Sequence, residues 1–375
     1  MIPRFYDDLD KFVKPGKVLI IYGARQVGKT TLLKNFLSKT SYKYKLDSGD
    51  NIIMQELLSS SDFSRILEYA EGYDLIAIDE AQQIAGIGVG LKILVDQLPK
   101  LRLIVTGSSS FDLSQKVGEP LTGRKKTLTL YPIAQKELAM TRNRHNLKEG
   151  ISDFLIFGSY PEVIKATTKK DKITVLNEIV NSYLFKDVFM LERIKGSKVL
   201  LDLVRLLALQ TGSEVSLNEL ATQLGIDVKT VSRYLDILEK AFIIFKLGGF
   251  SKNLRGEITS KCKYYFWDTG IRNAIISQFN PLNTRNDAGA LWENFIIAER
   301  LKKQSYVESH TRAYFWRTYS QKEIDLVEEK DGKLHGFECK MSSSKRALAP
   351  KEWRAAYPDA IFSVITKDNY LDFIV

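Results

Sequence analysis

Residues 18–37 constrain this chain more than any other stretch. An apolar run, Val18-Leu-Ile-Ile-Tyr22, leads into Gly23-Ala-Arg-Gln-Val-Gly28-Lys29-Thr30, and apolar residues at helical spacing follow. A buried strand, a glycine-bracketed loop and a helix start in that order form a cradle for phosphates. The glycines let backbone N–H groups turn inward, and the helix start adds the positive end of its dipole. Gly23, Ala24, Arg25, Gln26, Val27, Gly28, Lys29, Thr30 and Thr31 are therefore expected to line a nucleotide site. Lys29 would reach the β- and γ-phosphates, and the Thr30 hydroxyl would ligate Mg²⁺. ATP and Mg²⁺ are the expected cofactors.

Hydrolysis needs an acidic partner at the end of a second buried strand. Leu75-Ile-Ala-Ile-Asp79-Glu80 supplies one. Asp79 is expected to hold Mg²⁺ through water, and Glu80 to polarise the attacking water. The adjacent Asp-Glu pair predicts an extra strand between the loop strand and the acid strand. Ser108 follows the apolar run 103–106 and reads either as a residue sensing the γ-phosphate or as an ordinary helix N-cap. Arg124, in Leu121-Thr-Gly-Arg124, is a candidate arginine finger acting in trans within a homo-oligomer, or a solvent-facing cation.

The apolar runs 18–22, 75–78 and 103–106 have the composition of parallel strands buried on both faces. Weaker candidates at 42–46 and 127–130 would complete a five-stranded sheet. Leu32, Leu33, Phe36 and Leu37 share one helix face and would pack back on it. The expected fold class is α/β, with four segments. These are a P-loop ATPase core at 1–132, a helical lid or extension at 133–195, a winged helix-turn-helix at 196–262 and a strand-helix domain at 263–375.

The 375 residues include 55 Lys and Arg against 45 Asp and Glu, which admits either a polyanionic partner such as DNA or simply a soluble surface. Cys262 and Cys339 lie far apart in no metal-ligand spacing, which argues against a disulfide framework and a zinc site. The first residues lack the apolar run of a signal peptide, and no stretch approaches a membrane span. A cytoplasmic protein with no membrane partner is expected.

Ser216 and Glu219 form a capping box, Gly225 closes that helix, and Asp227 caps the next. The second helix would bury Val231, Leu235, Leu238 and Phe242 and expose Lys229, Thr230 and Arg233, where a recognition helix meets base edges. A strand at 243–247 and a loop with Lys252, Arg255, Lys261 and Lys263 would form a basic wing. Such modules also mediate protein contacts.

Near the C-terminus, Glu323 and Asp325 share one face of a strand, and Glu338 and Lys340 share a face of the next, across an Asp331-Gly332 turn. Asp325, Glu338 and Lys340 fit the pattern of PD-(D/E)XK nucleases, in which carboxylates hold Mg²⁺ or Mn²⁺ and the lysine orients or deprotonates water. Glu293, on a helix starting near Gly289, could add a ligand. The same residues also suit a plain cross-strand ion pair.

Taken together, these stretches resemble a prokaryotic family of AAA-type ATPases with a C-terminal domain of unknown function. The matching residues are the loop from Gly23, Asp79-Glu80-Ala-Gln82, Leu121-Thr-Gly-Arg-Lys and Phe157-Gly-Ser-Tyr-Pro161. Tyr183-Leu-Phe-Lys-Asp187, Tyr265-Phe-Trp-Asp268-Thr-Gly270, Gly289-Ala-Leu-Trp-Glu293-Asn, and Glu323-Ile-Asp325 with Glu338-Cys-Lys340 continue the match. The resemblance implies an AAA-like core, a winged helix and a C-terminal fold similar to restriction-endonuclease cores, with Glu293, Asp325, Glu338 and Lys340 at its site. Three functions are compatible with it: an ATP-hydrolysing, DNA-associated protein with a nuclease-type domain, an ATP-gated regulatory switch, and an oligomeric DNA motor.

Overall fold

The structure is a computed structural model that describes residues 2–108, 121–181, 197–251, 262–342 and 348–375. Lys252, Arg255, Lys261 and the stretch 183–187 lie outside the described residues. The chain divides into two compact units, one of residues 3–131 with 240–242, the other of 132–239 and 243–375 with residue 2.

The first unit is built on five parallel strands: β1 (Val18–Tyr22), β2 (Tyr44–Ser48), β3 (Leu75–Asp79), β4 (Arg102–Gly107) and β5 (Lys125–Thr129). Their order is β2-β3-β4-β1-β5, so β4 lies between β1 and β3 as the Asp-Glu pair predicts. Every residue of β1 is buried, which is why the run carries no polar side chain at its centre. Helix α1 (Lys29–Leu37) packs Leu32, Leu33, Phe36 and Leu37 inward. Helices α2 (Ile52–Ser59), α3 (Phe63–Ala70) and α4 (Ile87–Gln97) contribute Leu58, Ile66 and Leu91 to the same core as β1, β3 and β4.

Residues 240–242 correct one expectation. Phe242 does not extend the face of the second helix of the pair, because that helix ends at Lys240 and Phe242 takes the left-handed conformation at φ 58°. Its ring meets that of Tyr131 edge-on at 6.2 Å, inside the first unit.

The second unit holds β6 (Glu214–Val215), β7 (Ile244–Gly249), β8 (Cys262–Phe266), β9 (Arg312–Arg317), β10 (Glu323–Lys330), β11 (Lys333–Cys339) and β12 (Ile361–Ile365). They form one mixed sheet in the order β12-β11-β10-β9-β7-β8-β6. β7 joins the two halves by pairing in parallel with β9 at Gly248 and Gly249. The sheet therefore runs without a break across positions 262 and 263. β10 and β11 are linked by Asp331 and Gly332 at φ 51° and 74°, the conformation that favours Asp-Gly in a tight hairpin.

Among its helices are α5 (Ile151–Phe157), α6 (Ser197–Leu209), α7 (Leu217–Leu224), α8 (Val228–Lys240), α9 (Thr269–Ile275) and α10 (Ala288–Tyr306). α10 buries Leu291, Trp292, Phe295 and Ile296 in a core shared with Phe154, Tyr265, Phe337 and Tyr370.

The segments 157–161 and 265–270 meet at Asp268. Its carboxylate accepts hydrogen bonds from the backbone N–H groups of Ser159 (2.7 Å) and Ile271 (3.0 Å). A Cβ at Gly158 would fall 2.0 Å from Asp268 Oδ1, and one at Gly270 would fall 2.1 Å from the Phe157 carbonyl oxygen. Close approach of the Asp268 carboxylate at Gly158 and of the Phe157 backbone at Gly270 accounts for the two glycines.

Asp287 at the start of α10 is gripped by Arg272 Nη1 at 2.5 Å and Arg285 Nε at 2.8 Å. Burial opposes its ionisation, but the hydrogen bonds and charges of Arg285 and Arg272 win and hold it down to about 2, from 3.8. A depressed carboxyl contributes stability that is present above 3.8 and lost as pH falls through about 2. The shift corresponds to about 2 kcal/mol. Asp287→Asn is expected to lose up to that much at pH 7, since solvent beside the partly buried carboxyl screens some of it, and to flatten the decline of melting temperature on acidification, measured by calorimetry. Equal acid profiles for both proteins would contradict this.

Candidate nucleotide site and carboxylate cluster

The loop 23–30 leaves the C-terminal end of β1, beside the C-terminal ends of β3 and β4. A Cβ at Gly23 (φ 155°) would lie 2.0 Å from the Leu130 carbonyl oxygen, so only glycine allows the chain to turn there. Gly28, at φ 97°, opens α1 and aims its first N–H groups into the loop. Lys29 is buried, with Nζ donating to the carbonyls of Gly23 (2.9 Å) and Ala24 (2.7 Å). Burial pulls its ammonium down to about 8, with Glu80 and Asp79 opposing and Arg25 adding to the fall.

Thr30 Oγ1 donates to Asp79 Oδ2 at 2.7 Å, and Thr106 Oγ1 donates to the other oxygen, Oδ1. The hydroxyl and the acid expected to share a metal are thus in direct contact. Glu80 sits in the left-handed region at φ 50°, and its N–H donates to Thr106 Oγ1 at 3.3 Å. Gln82 Nε2 donates both to Glu80 Oε2 and to Ser108 Oγ, the latter at 3.1 Å. Ser108 is therefore linked to Glu80 through a single amide.

Sequence reasoning left Thr106, Gln82 and Arg4 out of this site. Arg4 is buried and donates from Nη1 to the Val27 carbonyl (2.5 Å) and from Nη2 to that of Tyr131 (2.7 Å), bracing the loop from behind. Thr106 was legible as the polar end of an apolar strand, whereas nothing local marks Arg4. Arg124 falls elsewhere. It precedes β5 at the level of Val18, so the length of the strands, ~13 Å at ~3.3 Å per residue, separates it from the loop. Its Nε pairs with Asp96 at 2.6 Å.

Across the turn after α7, Ser216, Gly225 and Asp227 cap as expected, while the Glu219 carboxylate accepts from Gln223 Nε2 at 3.3 Å. Ser216 Oγ accepts from the Glu219 N–H at 3.4 Å, and Gly225 ends α7 at φ 64°. Asp227 accepts from the Thr230 N–H at 2.9 Å and its hydroxyl at 2.6 Å, so Thr230 is spent on the cap. Lys229 and Arg233 are exposed on α8, while Val231, Leu235 and Leu238 are buried. The antiparallel pair of β7 and β8 follows, with β6 on its outer edge.

The hairpin register sets Leu326 opposite Phe337, so Asp325 falls level with Glu338 on one face. Carboxylate oxygens of Glu293, Glu323 and Asp325 lie within 4.8 Å of one another. Glu338 instead pairs with Lys340 at 2.5 Å. Asp325 is pushed well above the usual carboxylate range by burial, with Glu293 and Glu338 adding to it. Two groups from β8 enter the cluster. Lys263 contacts Glu293 and Glu323, and the Tyr265 hydroxyl donates to Glu293 Oε1 at 2.6 Å. The sequence places Lys263 in the loop of a basic wing; it lies instead on the paired part of β8 and is fully buried, where its ammonium meets two carboxylates.

The first unit thus has the parallel sheet, loop and acidic strand end of a P-loop NTPase-type domain. Among known proteins, the family described as AAA domain matches residues 15–139, which supports an ATP-binding P-loop ATPase domain. Residues 148–282 match a domain of unknown function (DUF8612), and residues 288–371 match another (DUF4143). An uncharacterized protein of Mycobacterium tuberculosis is 27% identical over 330 residues, covering 87% of this chain and 71% of the relative. One of Haemophilus influenzae is 24% identical over 356 residues, covering 88% and 84%, and one of Methanocaldococcus jannaschii is 24% identical over 339, covering 85% and 74%. No described helix is long and apolar enough to cross a membrane.

Proposed function

We propose that this protein is an ATP-hydrolysing, DNA-associated switch in which nucleotide turnover in the first unit governs a winged helix in the second. The observation that carries the ATPase part is the contact of Thr30 with Asp79, with Glu80 next to it at the end of β3. This donor set fits ATP with Mg²⁺. Lys29 and the loop N–H groups would hold the phosphates, and Thr30 and Asp79 the metal. Bound Mg²⁺·ATP supplies the electrophilic phosphorus and the charge neutralisation around it. Glu80 then accepts the proton of the attacking water, after release from Gln82, while Ser108 reads the terminal phosphate through the same amide. Arg4 keeps the loop from relaxing.

Supporting the DNA part are the order α7, turn, α8, β7, β8 and the exposed Lys229 and Arg233 near the start of α8. Lys229→Ala with Arg233→Ala is expected to weaken duplex binding and to lower the slope of log affinity against log salt by about 2, one per phosphate contact. Titrations with and without ATP test the switch. An unchanged slope would remove α8 from the interface, and equal affinity in both nucleotide states would remove the coupling.

A nuclease-type centre is favoured by one observation, the convergence of Glu293, Glu323 and Asp325. The chemistry of the donors opposes a resident metal in this arrangement, because Lys263, Tyr265 and the Cys339 N–H already bond to the three carboxylates. No cleavage step is derived through such an ion.

A further inference from the structure

Three carboxylates gathered within 4.8 Å repel one another unless a cation lies among them. In this cluster the cation is covalently attached. Lys263 reaches in from β8 with its whole side chain buried, and Nζ donates to Glu293 Oε1 at 3.3 Å and to Glu323 Oε1 at shorter range. Tyr265, two residues along and so on the same face of the strand, donates to that same oxygen of Glu293. Arg317 Nη1 stands 3.4 Å from the other oxygen of Glu323, and the Cys339 N–H donates to Asp325 Oδ2 at 2.7 Å. Behind Glu293 the backbone of Gly212, at φ 80°, comes so near that a Cβ there would lie 3.1 Å from Oε1. At least one oxygen of each of the three carboxylates, and both of Glu323, are thus held by the protein's own donors.

We propose that Lys263 is the resident cation of this cluster and keeps it closed to divalent metal ions. The cluster then acts as an internal ion lock tying β8, α10 and β10 together. A tethered ammonium cannot dissociate. An incoming Mg²⁺ or Mn²⁺ would have to displace its hydrogen bonds and sit against its charge. With the ammonium removed, three carboxylates remain whose donor set suits a hard dication. The inference goes beyond the ATPase and DNA reading and does not rest on it.

The test is a Mn²⁺ titration of the full chain without nucleotide, followed by electron paramagnetic resonance. Wild type, Lys263→Met, Asp325→Asn and the double variant are compared. Asp325→Asn is expected to leave the wild-type titration unchanged. Lys263→Met is expected to gain one Mn²⁺ per chain, and adding Asp325→Asn to lose it again. Should Lys263→Met unfold at rest, Mn²⁺ is expected to restore its circular dichroism spectrum. The proposal is overturned by a wild-type Mn²⁺ site that Asp325→Asn abolishes, by a folded Lys263→Met that gains no ion, or by an unfolded one that Mn²⁺ does not rescue. ATP turnover of wild type is read separately, so failure of the ATPase reading is distinguishable.

Discussion

Glu80→Gln is expected to lower ATP turnover by on the order of 10²–10⁴-fold while leaving nucleotide binding intact. The amide keeps the size and the left-handed backbone position of Glu80 but cannot take a proton from water. Lys29→Ala is the informative comparison, because it removes the buried ammonium held by the Gly23 and Ala24 carbonyls and so should impair binding as well as turnover. Steady-state hydrolysis alongside equilibrium binding of a fluorescent ATP analogue separates the two. If Glu80→Gln hydrolysed ATP at the wild-type rate, the base would have to be sought elsewhere. Gln82→Leu should lower turnover less than Glu80→Gln, since it cuts the link from Ser108 to Glu80 but leaves the base in place.

Lys302→Met should destabilise the second unit by about 3–5 kcal/mol, the usual cost of stranding one half of a buried ion pair. Lys302 and Glu299 are both almost wholly enclosed and bond at 2.7 Å. Glu299 also accepts from the Gln135 N–H at 2.6 Å, so it cannot turn away to find water. Burial already raises its carboxyl above the ordinary range, with Lys302 resisting. Without the lysine, the protein should bind a proton there more tightly, and the loss of stability should shrink as pH falls. Denaturant unfolding at several pH values measures this. A loss under about 1 kcal/mol at pH 7 would show that the pair contributes only packing.

The strands β1, β3 and β4 of the first unit were legible because each is a short apolar run closed by a polar residue or glycine, whereas β2 and β5 at the sheet edges carry mostly polar residues and gave a weaker signal, displaced by up to two residues. The Asp-Glu pair even fixed the neighbour order of β1, β4 and β3. The caps of α7 and α8 were legible for a similar reason: Ser216, Gly225 and Asp227 act within four residues of their own position. What the sequence hid is long-range. Arg4 reaches Tyr131 across 127 positions, and Lys263 reaches Glu323 across 60. Local pattern is blind to such pairs, and a lysine in a basic stretch is read as exposed by default. Phe242 was misplaced because apolar spacing continues past the point where the backbone turns left-handed. The pairing of Asp325 with Glu338 was legible from the Asp-Gly turn, whereas the turning of Glu338 to Lys340 was not.

Residues 240–242 carry a consequence for how the protein is made. They belong to the unit formed by residues 3–131, although more than a hundred intervening residues belong to the other. During synthesis the nucleotide-binding unit is therefore incomplete when its last sheet strand emerges. It gains Phe242 against Tyr131 only after α7 and α8 have left the ribosome. Truncation after residue 131 would release a sheet with every strand but with the Tyr131 ring stripped of Phe242, so a fragment ending there should aggregate more readily than the whole chain.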